Sequence, residues 1–272
     1  MRAAGMRSLV VAGLWFGFLA SPNETANAQP DTSARPPKSV AFSFDGPLGT
    51  YDRGALQRGF QVYKEVCSAC HSLNRVAFHN LADPGGPGFT DAQVKALAAS
   101  YKVPAPPNDK GALFDSSGTR LTQPATPADH FPPPFPNEEA ARAANSGALP
   151  PDLSLIVKAR AGGPAYVYSI ITGFREKPPA WFKVLPNKYY DPYFEGWNIS
   201  MPPPLTKGSV TYSDGTSPAL DQEAHDVVTF LSWASEPTME ERKRLGLGVM
   251  AFLVVFSGLL FLSYRRVWRD AH

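Results

Sequence analysis

The chain has 272 residues, a net charge of +2, two cysteines, 28 prolines and 22 glycines. So much proline and glycine excludes a large conventional core of long regular elements and calls for many loops and short helices. Two cysteines are too few for a structural zinc site of the usual composition unless a histidine pair completes it, and nothing in the charge balance calls for a nucleic-acid partner.

The first 28 residues carry Arg2 and Arg7, the apolar run Leu9 to Ala20, and Ala26-Asn27-Ala28. A basic start, a short apolar core and an A-x-A site are expected to form a secretory signal peptide, cut before Gln29. The run is too short for a comfortable membrane span. Residues 29–241 are then expected to form one exported domain, a mitochondrial presequence being the alternative.

From Asp52 to Val66, Leu56, Phe60, Tyr63 and Val66 recur at spacings of four and three, an amphipathic helix in which Gly59 allows close helix contact. It leads directly into Cys67-Ser68-Ala69-Cys70-His71. Cys-x-x-Cys-His is the attachment signature of c-type haem: two thiols add to the porphyrin vinyl groups and the adjacent histidine ligates iron. Zinc would want a second ligand pair, and no His-x3-5-His or second Cys pair occurs. A thiol redox centre would want a βαβ context, whereas a helix precedes Cys67. One covalent haem c, held through two thioethers, is therefore expected, and burying it would supply apolar surface that the proline-rich chain lacks.

Thr90 with Gln93 reads as a capping box for a helix from Asp91 to Tyr101, stopped before Pro104. Residues 104–136, rich in proline, are expected to run as an irregular surface excursion. Asn137 is the expected N-cap of a helix from Glu138 to Asn145. Two further short helices are expected at Asp152 to Arg160 and Pro164 to Thr172.

Outside the signal peptide the methionines are Met201, Met239 and Met250. Met250 lies in an apolar run and Met239 at its approach, so Met201, followed by Pro202, Pro203 and Pro204, is the candidate second ligand of the iron. His79, His130 and His225 remain competitors, although His79 is close to His71 in sequence and the other two have no supporting pattern. A helix from Ala219 to Ser235 presents Leu220, Ala224, Val227, Val228, Leu231 and Ala234 on one face and is the natural partner of the helix before Cys67, although periodicity alone does not distinguish this from ordinary core packing. Leu245 to Tyr264 contains no charge over 20 residues, long enough to cross a bilayer. Basic residues flank both ends, so orientation follows from the signal peptide instead: a membrane anchor over 242–264, a cytoplasmic tail over 265–272, and the haem domain in the periplasm of a bacterial inner membrane. The fold class expected is mainly α, a c-type cytochrome domain with long loop insertions and one C-terminal transmembrane helix.

The chain resembles the cytochrome c1 family. The resemblance rests on CSACHSL from 67, PNEEAARAANSGALPPDLSLIVKARAGG from 136, YVYSIITGF from 166, YYDPYFEGWNISMPPPL from 189, DVVTFLSWASEP from 226 and RKRLGLGVM from 242. It implies Cys67 and Cys70 as attachment sites, His71 and Met201 as axial ligands, Arg160 and Tyr166 near a haem propionate, and Asn145, Pro150 and Pro151 lining the pocket. It also implies an electron relay without a catalytic residue or quinone site of its own: a subunit beside cytochrome b, passing single electrons from a Rieske iron-sulfur protein to a soluble cytochrome c. Some bacterial members carry an extra cysteine pair near the methionine. This chain has none to spare, so its Met201 loop is expected to be held by Pro202 to Pro204 and by packing of Tyr190, Phe194 and Trp197.

Overall fold

Helix α1, Arg53–Glu65, starts where the Asp52 side chain accepts the Ala55 N–H at 3.1 Å. Helix α5 is Leu220–Ser235, most of it buried. The two cross at Gly59, where a Cβ would lie 2.0 Å from the Asp226 carbonyl oxygen and 2.7 Å from the Phe230 Cβ. Beside the crossing, Arg58 donates through Nε and Nη2 to the fully buried Asp226 carboxylate at 2.8 and 3.1 Å. Phe60 wedges between Phe230, Phe89 and Phe131 at centroid distances of 5.6, 5.5 and 6.0 Å. The pairing of these helices is thus as the periodicity suggested.

This computed structural model describes residues 31–269. The signal peptide expected over 1–28 and the final residues 270–272 lie outside that range. Helix α2, Asp91–Ala99, opens on the expected capping box, with the Thr90 N–H donating to Gln93 Oε1 at 2.8 Å. The proline-rich stretch is more ordered than expected. Strands β1 (Lys102–Pro104) and β2 (Thr122–Pro124) pair antiparallel, and Phe131 is buried with its ring 4.3 Å from that of Phe78. A large aromatic side chain stitches this segment to the core where composition suggested only surface.

Helix α3, Glu138–Ala144, has the Asn137 cap, and helix α4 runs Gly163–Gly173. No helix forms over 152–160, which is a succession of turns. The reason is local: Asp152 spends its carboxylate on the Ser154 N–H, the Asn74 N–H and the Ser72 hydroxyl, and the Leu153 N–H goes to the Ser72 carbonyl. These bonds to another segment compete with a helical ladder.

Short strands β3 (Tyr189–Tyr190) and β4 (Asn198–Ile199) pair antiparallel at the base of the loop that ends at Met201. Helix α6, Met239–Val267, is long and apolar enough to cross a membrane, the only such helix among the described residues. It begins earlier than its uncharged stretch, for Met239 is a buried core residue. Around its first turns, Glu240 accepts from the Tyr51 N–H and Arg53, and Lys243 Nζ donates to the Phe44 and Gly49 carbonyls.

Candidate cofactor site

Where α1 ends, the chain tightens into a 3-10 turn over Cys67–Ala69, and the Cys70 and His71 N–H groups both donate to the Cys67 carbonyl at 3.1 and 2.9 Å. Both thiols are free; Cys67 is half-buried and Cys70 exposed. Burial, followed by the neighbouring Cys70, pushes the Cys67 thiol up to about 12. A thiol redox centre needs the opposite shift, toward the thiolate.

The His71 imidazole is oriented by one short contact, Nδ1 to the Pro151 carbonyl oxygen at 2.7 Å. A carbonyl oxygen only accepts, so Nδ1 carries the proton and Nε2 keeps its lone pair. Burial lowers the imidazole pKa below its ordinary value, against the opposing effects of Pro151 and Asp152, which keeps the ring neutral near pH 7. The Tyr63 hydroxyl of α1 donates to the His71 carbonyl at 3.3 Å. Behind the ring, residues 151–154 fasten onto 71–75: besides the Asp152 and Leu153 bonds, the Arg75 N–H donates to Ser154 Oγ at 3.0 Å. Burial alone would raise the Asp152 carboxyl, but donors from Asn74, Ser154 and Ser72 outweigh it and hold it below the usual carboxylate value. Asp152 and Ser154 were not anticipated as supports of His71. The Asp-x-Ser spacing, which forms an Asx turn, is the signal that points to them.

Met201 is half-buried and packs with Tyr166 and Phe174 around a small cluster of Ile170, Tyr193 and Ile199, apart from the main core. Tyr166 and Met201 therefore border the same small cluster. Arg160 is exposed, and its charge tempers the rise that burial imposes on the Tyr166 phenol. Asn145 caps α3 with its side chain donating to the Ala141 carbonyl at 2.7 Å, and Pro150 is half-buried. As for the competing histidines, His225 stacks on Phe42 at 4.7 Å and contacts the Ala41 carbonyl, His79 faces Asp83 at 3.7 Å, and His130 bridges to Ala77.

The residues fit the haem that the motif calls for. Two free thiols precede an imidazole whose Nε2 is available, and the segment that orients that ring carries Leu149 and Leu155 exposed at 36% and 41%. These solvent-facing leucines, which flank Pro151 in the sequence, are apolar surface suited to cover by a flat apolar ring.

The model of the Cytochrome C1 family matches residues 42–271. Among curated relatives, cytochrome c1 of Rhodospirillum rubrum is 46% identical, covering 84% of this chain and 86% of its own length. The mitochondrial cytochrome c1, heme protein, of Kluyveromyces lactis is 48% identical over 84% of this chain and 72% of its own. A Bradyrhizobium diazoefficiens protein named cytochrome b/c1 is 46% identical over 97% of this chain, which spans 39% of that longer protein.

Proposed function

The chain belongs to the cytochrome c1 family, and on that premise we propose that it is the haem-bearing electron-transfer subunit of a cytochrome b/c1 assembly. The observation that carries this reading is the His71 imidazole, bonded through Nδ1 to the Pro151 carbonyl at 2.7 Å so that Nε2 keeps its lone pair, directly after two free cysteines in the chain. Cys67 and Cys70 would tether the haem c, His71 Nε2 and the Met201 sulfur would ligate its iron, and Arg160 and Tyr166 would meet a propionate. Asn145, Pro150 and Pro151 would line the pocket. A haem so ligated supplies reversible one-electron storage at a raised potential. The residues around it orient the imidazole, exclude water and fix the ligand pair, so no bond of a substrate is made or broken here and no quinone site is assigned to this chain.

In this reading α6 anchors the chain in a bacterial inner membrane beside cytochrome b, with the haem domain periplasmic and the tail cytoplasmic. Electrons arrive singly from a Rieske iron-sulfur protein and leave to a soluble cytochrome c. The test is a pyridine haemochrome spectrum and redox titration of the purified protein and of Met201→Leu. We expect a two-thioether haem c in both, with a steep fall in potential in the variant. No covalent haem in the wild type would overturn the cofactor assignment, and an unchanged potential in Met201→Leu would remove Met201 from the iron.

A further inference from the structure

We infer that the segment Thr32 to Lys38 is a staple for the loop that carries Met201, and that Trp197 is the positioning residue through which it acts. The inference rests on Met201 being an iron ligand, as proposed above. The loop makes an unusual turn four residues before Met201: Gly196 has φ +72° and Trp197 φ +54°, two successive left-handed residues. Glycine adopts this region freely, but a tryptophan there is strained, and such a residue persists only where its surroundings over-determine it.

The surroundings are the segment 32–38. Trp197 Nε1 donates to the Ser33 carbonyl at 2.9 Å, the Gly196 N–H to the Thr32 carbonyl at 3.1 Å, and the Arg35 N–H to the Pro192 carbonyl at 2.9 Å. The Ala34 N–H reaches Glu195 Oε2 at 3.2 Å, and the Arg35 guanidinium lies 5.8 Å from the centre of the Trp197 ring. That ring is only 7% exposed, packed against Phe182, Trp181 and Tyr190 at 5.4, 5.7 and 5.9 Å. At its other end the segment is fastened to α4, where the Lys38 N–H donates to Ser169 Oγ and Lys38 Nζ to Thr172 Oγ1, both at 2.8 Å. The staple thus ties α4, which carries Tyr166, to the loop that carries Met201.

Little backbone slack separates Trp197 from Met201. Asn198 and Ile199 are paired to Tyr190 and Tyr189 in the β3–β4 ladder, and Met201 follows two residues on. A shift of Trp197 is therefore carried along a paired strand to the methionine.

Two variants of the full-length protein test this. Trp197→Phe keeps a ring but removes the donor to Ser33. Arg35→Pro removes the N–H to Pro192 and the guanidinium, from a segment outside the main core. Each is read by the sulfur-to-iron charge-transfer band of the oxidised protein and by carbon monoxide binding to the reduced protein, with Met201→Leu as control and thermal stability measured in parallel. We expect both to load haem normally, weaken the band, and raise the carbon-monoxide-reactive fraction about tenfold, the equilibrium factor for losing one hydrogen bond of about 1.4 kcal/mol. If Met201→Leu abolishes the band while both variants bind carbon monoxide like the wild type, whatever their melting temperatures, the staple is merely structural and the inference fails. If Met201→Leu itself changes neither readout, the ligand assignment has failed instead.

Discussion

A methyl group on Gly59 would lie 2.0 Å from the carbonyl oxygen of Asp226, so the backbones of α1 and α5 touch at this point. No side chain can yield to relieve that contact, because the obstacle is main chain in mid-helix. Gly59→Ala should therefore destabilise the domain by about 3 kcal/mol or more, despite alanine's better helix propensity. Urea unfolding followed by far-ultraviolet circular dichroism measures it. A midpoint equal to the wild type would mean that the helices separate at little cost.

Asp191 sets a pH dependence of stability. Its carboxyl is fully buried, accepts the Tyr193 N–H at 2.9 Å through Oδ1, and has no partner at Oδ2. Burial raises its pKa from 3.8 to about 6, with Glu176 adding to the rise and Lys38 and the Tyr193 and Phe194 N–H groups opposing it. A carboxyl whose folded pKa is raised holds its proton in the folded state while the unfolded chain has lost it. Its contribution is therefore neutral below pH 3.8 and becomes a penalty as pH climbs to about 6, on the order of 2 to 3 kcal/mol above that. Asp191→Asn should raise the melting temperature at pH 7.5 and leave it nearly unchanged at pH 4. Equal melting curves for the two proteins at pH 7.5 would refute this.

The anchor helix should not be separable from the domain at its first residue. A chain stopped after Thr238 loses the buried Met239 and the Glu240 contacts to Tyr51 and Arg53, whereas one stopped after Arg244 keeps them together with the Lys243 bonds. The longer chain should be soluble, haem-loaded and more stable by about 2 to 4 kcal/mol. Neither should assemble stably in a membrane complex. Equal denaturation midpoints for the two chains would show that the first turns of α6 contribute nothing to the domain.

Residues 29–241 contain 18 basic and 22 acidic residues, a net of −4 before any propionate is counted. A basic soluble cytochrome c should be steered toward this domain, and the advantage should fade as the Debye length shortens to about 8 Å at physiological ionic strength. Stopped-flow oxidation of the reduced protein across an ionic-strength series is the measurement. A second-order rate that stays flat or climbs with added salt contradicts steering.

How much of this was legible beforehand depended on whether the physics was local. The Thr90–Gln93 capping box, the Asn137 cap and the face of α1 that meets α5 are set by neighbours within a few positions, and the helices lie where those signals put them. The helix expected over 152–160 did not form because Asp152 binds Asn74 and Ser72, nearly eighty residues away, and nothing within its own window announces that. Phe131 was hidden by the prolines around it, since composition describes a segment and burial is decided by single side chains. At the candidate site, Cys67, Cys70 and His71 form a contiguous motif, so the sequence alone singles them out as candidates. The Pro151 carbonyl as the partner of His71 Nδ1 was not legible, because a backbone acceptor leaves no mark on residue identity.

Helix α6 emerges from the domain without a linker: Met239 is core, and only Glu236, Pro237 and Thr238 separate α5 from α6. Tyr51 holds that corner by donating its hydroxyl to the Ser232 and Glu236 carbonyls at 3.1 and 3.2 Å. With α6 spanning a bilayer, as proposed above, a stiff rod built into the body would fix the heading of the domain as a mast does, where a flexible tether would let it swing. In the membrane-anchored reading proposed above, a gap between His71 and its electron donor would be closed by movement of the donor, because the corner between α5 and α6 supplies no hinge.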